Sequence, residues 1–517
     1  MTTFYIQQFG CRATQADGAA LERQLLDRGC ILSSDPTSAA IVVLNTCTVT
    51  SAADAQARDA IRKIHAQNPV ARLIVTGCYA QRAPEELAAL PGVSWVVDNS
   101  HKPQIPDLVT QIVPAALPHA TKQQEEQTVI PSEATEGSDL VGRNLLFPLA
   151  PPSANSHPAN ILTGNIFAHP EFLSAPIQGG ESHHTRPILK IQDGCNNRCS
   201  FCVIPFVRGK SRSLPPNEVI REIQNLTAEH TFPHENPKVG QPILAVHSPA
   251  REIVLSGINL GTYGRDLSPR VEFINLLRRI LDETPIERLR ISSIEPQDVT
   301  QDLIDLFAST DRIAQHFHMP LQSASDRILA AMHRWYRSEH YARRVELIHD
   351  RLPNAAIGAD VIAGFPGETE SDHAATLSFI DGLPFTYLHV FSFSSRPGTK
   401  AATAPDQVPS QIIKSRAREL RSLAEAKSAA FRRSQIGNTH RVLILHRDKH
   451  YVSEHTAVEY SPAISSNYLR VQVPGIHASN QWQDVVIKSE EGNYLAGELA
   501  STCSELSVNS VFSESSV

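Results

Sequence analysis

The most chemically informative stretch of this 517-residue chain is a group of three closely spaced cysteines. Cys195, Cys199 and Cys202 follow an apolar run at residues 187–191 that is short enough to be a buried strand, so they fall on the loop after it. Structural zinc sites use four closed ligands, usually as two separated pairs, and the chain has no second C-x2-C pair. Three thiolates on one loop favour a cubane iron–sulfur cluster whose fourth iron lacks a protein ligand. An open iron of this kind predicts chemistry, with a zinc site or plain buried thiols as the alternatives.

A second set of cysteines lies in the first 103 residues, where apolar runs and helical periodicity alternate. The predicted elements are strands at 4–9, 41–44 and 73–75 and helices at 17–28 and 52–67. This βαβ pattern predicts a small parallel sheet covered by helices. Cys11, Cys47 and Cys78 each follow one of these strands, whose carboxyl ends form ligand sites, so we expect a second shared metal site. Cys30 and Cys503 lack this context and are expected to be ordinary thiols.

The sequences around both sets of cysteines resemble those of radical S-adenosylmethionine enzymes, specifically the methylthiotransferases. The match lies in residues 194–202, called the radical loop below, and in the segments 9–11, 45–50 and 75–81. The resemblance implies that the three cysteines of the radical loop hold a four-iron cluster that chelates S-adenosylmethionine and splits it to a 5′-deoxyadenosyl radical. It also implies that Cys11, Cys47 and Cys78, called the auxiliary cysteines below, hold a second four-iron cluster. Thr14 departs from the family, whose members usually have Asn there.

Strand–helix alternation resumes at Pro187 and continues to about residue 395, which predicts a complete or partial (β/α) barrel. Strands are predicted at 188–192, 253–256, 289–293, 316–320, 356–362 and 387–393. In such a barrel the chemistry gathers on the loops at the carboxyl ends of the strands, where the radical loop would lie. The resemblance extends to later loops, at 255–261, 291–296, 318–323 and 364–368. It implies that the S-adenosylmethionine and substrate pocket includes Gly257, Asn259, Glu295 and Gln322.

A basic helical stretch and a β-rich region follow the barrel. Lys and Arg residues cluster at 414–433, which indicates either a solvated helix face or a surface that contacts RNA phosphates. In the second case the predicted RNA contacts are Arg416, Arg421, Arg432 and Arg433. Residues 438–500 contain short alternating or apolar runs separated by turn residues, and they resemble the small all-β, TRAM-like barrel that ends methylthiotransferases. A compact barrel with exposed aromatic residues can hold RNA by stacking.

The predicted fold is therefore mixed α/β with three folded units. Their boundaries are 1–103 for the parallel-sheet domain, 186–436 for the radical S-adenosylmethionine barrel with its basic helix, and 437–500 for the all-β barrel. Residues 104–185 are rich in Pro, Ser, Ala, His and Gln and are predicted to be a linker or insertion, largely disordered. The Ser-rich tail at 501–517 is also predicted to be disordered. A Pro-rich interruption at 231–249 is expected to be a surface insertion.

Composition restricts the cellular setting. No apolar run approaches the roughly 18 residues of a membrane span, and residues 1–7 lack the charged and apolar regions of a signal peptide. We therefore expect a cytoplasmic protein without membrane contact, in which thiols stay reduced and clustered cysteines bind metal. The net charge of −7 gives no global sign of nucleic-acid binding, so RNA contacts would need local basic patches.

Two classes of function fit these features. One is a radical methylthiotransferase, which transfers sulfur and a methyl group to an unactivated C–H position, and the other is a non-catalytic iron–sulfur protein that carries electrons or binds RNA. Two open three-cysteine sites favour the enzyme, since electron carriers usually close the fourth position with another cysteine. The motifs most resemble the branch that converts N6-threonylcarbamoyladenosine beside the tRNA anticodon to its 2-methylthio derivative. The alternative substrates are N6-isopentenyladenosine in tRNA and an aspartate of a ribosomal protein. The resemblance also implies a reductant such as flavodoxin or ferredoxin, and a sulfur donor.

Overall fold

The computed structural model describes residues 2–112, 159–168, 172–173, 185–235, 242–247, 249–446 and 459–500. These residues form a parallel-sheet domain, a partial barrel and a small closed β-barrel, in that order along the chain. The prediction of a mixed α/β fold with these three architectures is confirmed. The tail predicted to be disordered lies outside the described residues, as does most of the predicted linker. Among the described helices, none is long and apolar enough to cross a membrane.

The parallel-sheet domain alternates strands and helices. Its elements are β1 (Thr3–Gln8), α1 (Arg12–Asp27), β2 (Ile31–Leu32), β3 (Ile41–Thr46), α2 (Ser51–Gln67), β4 (Arg72–Gly77), α3 (Cys78–Arg82), α4 (Pro84–Ala88), β5 (Val93–Val97), α5 (Ile105–Ile112) and β6 (Asn160–Leu162). The strands pair in parallel in the order β2-β1-β3-β4-β5-β6. The central strand β3 is buried along its whole length, as its apolar and β-branched sequence requires of a strand covered on both faces.

This domain extends beyond the boundary predicted at residue 103. Helix α5 buries Ile105 and Val109 in the same core as Phe4 of β1. Strand β6 pairs with β5 and adds a sixth strand to the sheet. These two elements lie within the segment 104–185 that was predicted to be a linker or insertion, largely disordered, and they belong to the folded domain. Both are short, and among their described aliphatic side chains only Ile105 and Val109 of α5 are fully buried, so the polar composition of the whole segment concealed them.

The barrel carries the longest run of alternating elements. They are β7 (Ile188–Asp193), α6 (Ile204–Arg208), β8 (Arg212–Ser213), α7 (Pro216–Thr227), β9 (His230–Glu235), β10 (Pro242–His247), β11 (Glu252–Gly257), α8 (Phe273–Glu283), β12 (Arg288–Ile291), α9 (Gln301–Ala308), β13 (His316–His318), α10 (Asp326–Ala331), α11 (Ser338–Arg351), β14 (Ala356–Ala363), α12 (Glu370–Gly382), β15 (Tyr387–Ser392) and α13 (Ser410–Ser434). The sheets β12-β11-β7-β8 and β13-β14-β15 are joined by a bridge between Leu289 and Ile313. The described strands do not close into a ring, so the barrel is partial. The interruption predicted at 231–249 contains the antiparallel pair β9 and β10.

The two faces of the barrel strands pack against different parts of the molecule. Leu189 and Leu255 belong to the large apolar core that also contains the barrel helices. The alternate positions of β7 and β11 carry Ile188 and Val254, which pack against Ala16 of α1. The parallel-sheet domain is therefore seated on the opposite, concave face of the partial barrel. This seating brings the loops of the first domain to the barrel.

The C-terminal unit is a small barrel attached to the concave face. Its strands β16 (Thr439–Ile444), β17 (Tyr460–Ile464), β18 (Arg470–Pro474), β19 (Trp482–Glu491) and β20 (Tyr494–Leu499) close in the order β16-β17-β18-β20-β19. Buried Arg290 of β12 donates to the carbonyl oxygens of Ser465 and Ser466 at 3.0 Å each. Glu252 of β11 pairs with Arg290 at 2.8 Å and also with Arg288. Burial alone would raise the pKa of Glu252, but these arginines hold it well below its usual range.

Candidate active site

The radical loop leaves β7 through a turn that requires glycine. Gly194 has φ +69°, and a Cβ there would lie 2.0 Å from the Lys210 carbonyl oxygen. The Gln192 side-chain amide donates to the Gly194 carbonyl at 2.9 Å, and the Cys195 amide donates to the Gly209 carbonyl at 3.1 Å. These bonds fix the loop beyond the carboxyl end of the strand, where chemistry gathers in such barrels.

Two thiols of the radical loop contact polar groups from later barrel loops. The Asn259 side-chain amide lies 3.9 Å from Cys195 Sγ. Arg334 Nη1 donates to Cys199 Sγ at 3.4 Å and also forms a buried ion pair with Glu295. Two of the predicted pocket residues, Asn259 and Glu295, therefore lie at the radical loop.

The other two predicted pocket residues, Gly257 and Gln322, lie at the end of β11 and after β13. Gly257 ends β11, and a Cβ there would lie 2.7 Å from Leu260 and 3.0 Å from Gln192, so close packing accounts for the glycine. Gln322 has φ +63°, and its amide donates to the Asp360 carbonyl of β14 at 2.8 Å. Gln322 thus borders the concave face.

The donor set of the radical loop fits an iron–sulfur cluster. Its three cysteines are free thiols, and burial together with Cys199 raises the pKa of Cys202 to about 12. Protonated thiols of this kind bind iron with release of protons. A single zinc ion would hold its thiolates within about 4 Å of one another, and neither cysteine set of the described chain converges within 4.8 Å. The buried Asn259 Oδ1 has no hydrogen-bond partner among the described residues, which leaves an acceptor for a bound ligand.

The auxiliary cysteines come together at the carboxyl ends of β1, β3 and β4. Cys47 and Cys78 are buried, whereas Cys11 is exposed. Gly10 has φ +95°, and a Cβ there would lie 2.4 Å from Cys47 Cβ, so glycine is needed for the first loop to approach the second. Burial, Cys78 and Cys11 raise the pKa of Cys47 to about 12. The three thiols therefore lie within electrostatic range of one another, as ligands of one cluster would.

Both cysteine sets border the same interface between the first domain and the barrel. Cys78, at the start of α3, forms one buried cluster with Val203 and Val207, which follow the radical loop. Asn99 connects the two sides, since its side-chain amide donates to the Val207 carbonyl at 2.6 Å and lies 3.7 Å from Cys78 Sγ. The two predicted cluster sites are thus neighbours across this interface.

A network of buried charges, called the interface network below, stabilises the same contact. Its members are Asp17, Lys102, Lys190, Asp193 and Arg208. Asp17 accepts from Lys102 and from Arg208, each at 3.0 Å, and also from Lys190. Burial alone would raise the pKa of Asp17, but Arg208, Lys102 and Lys190 lower it to about 2. Burial raises the pKa of Cys78 although Arg208 and Lys102 oppose the rise, so the network places positive charge beside the auxiliary cysteines.

Thr14 and the two cysteines outside the predicted clusters differ in their surroundings. Thr14 is buried, lies 3.6 Å from Cys11 Sγ through its hydroxyl, and accepts from Arg208 at 3.3 Å. It therefore ties the Cys11 loop to the interface network. Cys30 lies in the apolar core of the first domain, as expected of an ordinary thiol. Cys503 lies outside the described residues.

The concave face carries a polar cluster that was not predicted from the sequence. His318, Asp360 and His389 bring ligand atoms within 4.8 Å of one another. His318 Nε2 lies 3.1 Å from Asp360 Oδ1, and His389 Nδ1 lies 3.4 Å from the same oxygen. Because these residues come from β13, β14 and β15, no local spacing links them. The available signal was a polar residue inside an otherwise apolar strand, most clearly Asp360 in β14.

Two of the four arginines predicted to contact RNA are buried in ion pairs. Arg416 is 5% exposed and pairs with Glu368 at 3.0 Å. Arg432 is 8% exposed and pairs with Glu490 of the C-terminal barrel at 2.9 Å. The prediction that these two contact RNA was wrong, because they lie on the side of α13 that packs against the fold.

The opposite side of α13 is basic and exposed. Lys414, Arg418 and Arg421 share this face at helical spacing, and they line a cleft of about 480 Å³ together with Ser392, Ser422 and one acidic residue, Glu425. Arg421 belongs to the predicted RNA contacts, whereas the sequence did not distinguish Lys414 and Arg418 from their buried neighbours. Arg433 is exposed and pairs with Glu490 at 3.2 Å.

Comparison with known proteins matches both halves of this site. Residues 3–98 match the Uncharacterized protein family UPF0004, and residues 189–380 match the Radical SAM superfamily. Threonylcarbamoyladenosine tRNA methylthiotransferase MtaB of Aquifex aeolicus (strain VF5) is 32% identical over 447 residues, which cover 86% of this chain and 93% of the relative. The protein of the same name from Bacillus subtilis (strain 168) is 33% identical over 428 residues, with 82% and 81% covered. The tRNA-2-methylthio-N(6)-dimethylallyladenosine synthase of Syntrophobacter fumaroxidans (strain DSM 10017 / MPOB) is 30% identical over 444 residues, with 85% and 84% covered.

The two family matches divide the cysteines as the structure does. The first contains the auxiliary cysteines, and the second contains the radical loop with Asn259 and Glu295. The relatives extend over both matches and most of the chain. This chain therefore belongs to the radical S-adenosylmethionine methylthiotransferase family, on its MtaB branch, and is an enzyme of the class that uses a [4Fe–4S] cluster and S-adenosylmethionine.

Proposed function

We propose that this enzyme methylthiolates N6-threonylcarbamoyladenosine beside the anticodon of tRNA, with one cluster on the radical loop and a second on the auxiliary cysteines. The observation that carries the proposal is the meeting of two three-cysteine sets at one interface, through Cys78 against Val203 and Val207. Two clusters with open irons suit chemistry between them better than electron transport, in which the fourth position is usually closed by cysteine. When bound, the radical-loop cluster would pass an electron from the reductant to S-adenosylmethionine, which would supply the radical and the methyl group, and the auxiliary cysteines would hold the sulfur that the donor provides.

The residues around the radical loop hold and orient the cofactor. Asn259 offers a buried acceptor without a partner among the described residues, which suits an amine. Arg334, fixed by Glu295, offers a guanidinium beside Cys199, which suits a carboxylate. S-adenosylmethionine carries both groups on its methionine end. Gly257 and Gln322 belong to the same proposed pocket.

The tRNA is held by the basic cleft of α13 and by the C-terminal barrel. The cleft presents Lys414, Arg418 and Arg421 beside the last barrel strand, and such cations bind phosphates with release of counterions. The chain as a whole carries a net charge of −7, so attraction of the RNA phosphates has to come from a local basic patch such as this one.

The choice of substrate rests on the motifs and on the names of the relatives. Two of the relatives described above are named as threonylcarbamoyladenosine enzymes, and the third is named for dimethylallyladenosine. The proposal includes a reductant such as flavodoxin or ferredoxin, a sulfur donor, and action in the cytoplasm.

Nucleoside mass spectrometry tests the proposal. Reconstituted enzyme is incubated with S-adenosylmethionine, a reductant, and tRNA that carries either N6-threonylcarbamoyladenosine or N6-isopentenyladenosine. We expect the 2-methylthio product from the first tRNA and 5′-deoxyadenosine in the same reaction, with neither product from Cys195→Ala. A methylthio product from the isopentenyl tRNA alone would overturn the proposed substrate but keep the enzyme class.

A further inference from the structure

Arg12 is a cation at the interface of all three folded units. It is the first residue of α1, directly after the auxiliary cysteine Cys11, and it is partly buried. Within the described part of the chain, its Nη2 donates to the Tyr468 hydroxyl of the C-terminal barrel at 3.4 Å, and no carboxylate oxygen lies within 4.0 Å of it. Arg208 and Lys102, by contrast, share the carboxylate of Asp17. A partly desolvated guanidinium without a counter-ion is costly, so the site favours an incoming anion.

A polar wall of the barrel faces this guanidinium. Its members are His316, His318, Asp360, Tyr387 and His389. The ring of Tyr468 stacks on His316 with centroids 4.5 Å apart. The Tyr387 hydroxyl lies 2.7 Å from His316 Nε2, and Arg12 lies within electrostatic range of both His316 and Tyr387. Arg12 therefore adjoins the wall through Tyr468, whose hydroxyl it contacts and whose ring covers His316.

The wall leads from a buried floor to solvent. The exposed fraction of the side chain rises from 8% at His318 to 25% at Asp360 and 56% at His389. The hydrogen bond between the Tyr387 hydroxyl and His318 Nδ1, at 2.9 Å, and the contact of His318 Nε2 with Asp360 fix the imidazole of His318. A rigid polar floor with an open rim is the lining expected of a pocket for a polar ligand.

Arg12 and the wall connect the surroundings of the two cysteine sets. At one end Arg12 adjoins Cys11. At the other end Glu295, which is paired with Arg334 at Cys199, lies within electrostatic range of Asp360. A substrate whose reacting atom lies between the auxiliary cysteines and the radical loop can therefore place a substituent against the wall.

We propose that Arg12 and the polar wall bind the substituent on N6 of the target adenosine, with the Arg12 guanidinium paired to the carboxylate of that substituent. This inference rests on the proposed function, because it concerns recognition of the same substrate at the same site. A threonylcarbamoyl group carries a carboxylate, a hydroxyl and urea N–H groups, whereas an isopentenyl group carries none of them. A guanidinium binds a carboxylate through two parallel hydrogen bonds. A site built for polar groups rejects an analogue that lacks them, because its own groups are then left unpaired.

The test measures RNA affinity as a ratio within each variant. Anticodon stem-loop hairpins carrying either unmodified adenosine or N6-threonylcarbamoyladenosine are titrated with reconstituted full-length enzyme, and binding is followed by fluorescence anisotropy. We expect wild type to prefer the modified hairpin, and Arg12→Gln to lose this preference by about 10- to 100-fold, as for a hydrogen-bonded charged group. Arg12→Lys should retain part of the preference, because it keeps the charge but not the paired geometry. Arg23→Gln, at an exposed position of the same helix, should match wild type.

Each outcome distinguishes the inference from the proposed function. A variant that loses iron or RNA affinity in general binds both hairpins more weakly by the same factor. The ratio of its two affinities is then unchanged and can still be compared with wild type. If wild type converts the threonylcarbamoyl hairpin to its methylthio product and Arg12→Gln keeps the wild-type ratio, the inference is overturned and the proposed function stands. If wild type modifies an isopentenyl hairpin instead, both are overturned.

Discussion

Replacement of Asp17 by Asn should weaken the interface on which both cysteine sets lie. Asp17 is 3% exposed and accepts hydrogen bonds from Lys102, Lys190 and Arg208. The amide would keep the shape of the side chain but remove its charge, which leaves three buried cations with the carboxylate of Asp193. Removal of one partner from a buried ion pair destabilises a protein by about 3–5 kcal/mol, because the remaining charges stay desolvated.

Urea unfolding measures this loss directly. Because the slope grows with the surface exposed on unfolding, we take about 4 kcal/mol/M for a chain of this size, and a loss of about 4 kcal/mol then lowers the midpoint by about 1 M. Asp27→Asn is the matched control, since Asp27 is exposed near the end of the same helix and surface substitutions usually change stability by less than about 0.5 kcal/mol. An Asp17→Asn midpoint that coincides with those of wild type and of the control would refute the stabilising role of the interface network.

The same variant should show a defined dependence on pH. The pKa of Asp17 is lowered from 3.8 to about 2 in the folded chain, so the stabilisation by its ionised form is complete above about pH 4 and is lost as the pH falls through about 2. The difference in stability between wild type and Asp17→Asn should therefore be constant near neutral pH and should shrink below about pH 4. A difference that grows as the pH falls would contradict the assignment of the charge.

Three further predictions test the other parts of the account. Each single Ala variant of the radical-loop cysteines should fail to form 5′-deoxyadenosine, because one iron ligand is missing. Chromatography measures this product, and substantial cleavage of S-adenosylmethionine by any variant would exclude the assigned ligands. The combined Lys414→Gln, Arg418→Gln and Arg421→Gln variant should weaken tRNA binding and lower the salt slope by about two to three. Arg416→Gln is the control and should reduce thermal stability instead of tRNA binding. If the triple variant binds tRNA as tightly as wild type at every salt concentration, the RNA surface lies elsewhere. Glu252→Gln should cost about 3–5 kcal/mol and expose the C-terminal barrel to proteolysis, because Arg288 and Arg290 lose their shared carboxylate. A proteolysis rate equal to that of wild type would contradict this role.

The arrangement of the cysteines could be anticipated because it depends on local patterns. Each auxiliary cysteine follows a short apolar strand, and the carboxyl ends of parallel strands meet at one edge of a sheet. The same logic located the six parallel barrel strands within a few residues of β7, β11, β12, β13, β14 and β15. Neighbouring parallel strands also explain why Asn259 and Glu295, on successive loops, both reach the radical loop.

The contacts between domains could not be anticipated in this way. Asp17 and Lys190 are 173 positions apart, and neither is surrounded by a pattern that names its partner. Arg416 and Arg418 have similar sequence surroundings, yet one is buried against Glu368 and the other lines the basic cleft, because only the packing of α13 decides which face is covered. Arg12 and Tyr468 are 456 positions apart, so no local pattern in the sequence indicates their contact.

The most direct test of the central claim is the iron content of the Cys11→Ala, Cys47→Ala, Cys78→Ala triple variant, measured together with its two reaction products. Wild type with two four-iron clusters should hold about eight iron atoms, and the triple variant about four. The variant should still form 5′-deoxyadenosine from S-adenosylmethionine, because the radical loop is intact, but it should give no methylthiolated nucleoside. Iron content equal to that of wild type would show that the auxiliary cysteines hold no cluster and would contradict the account.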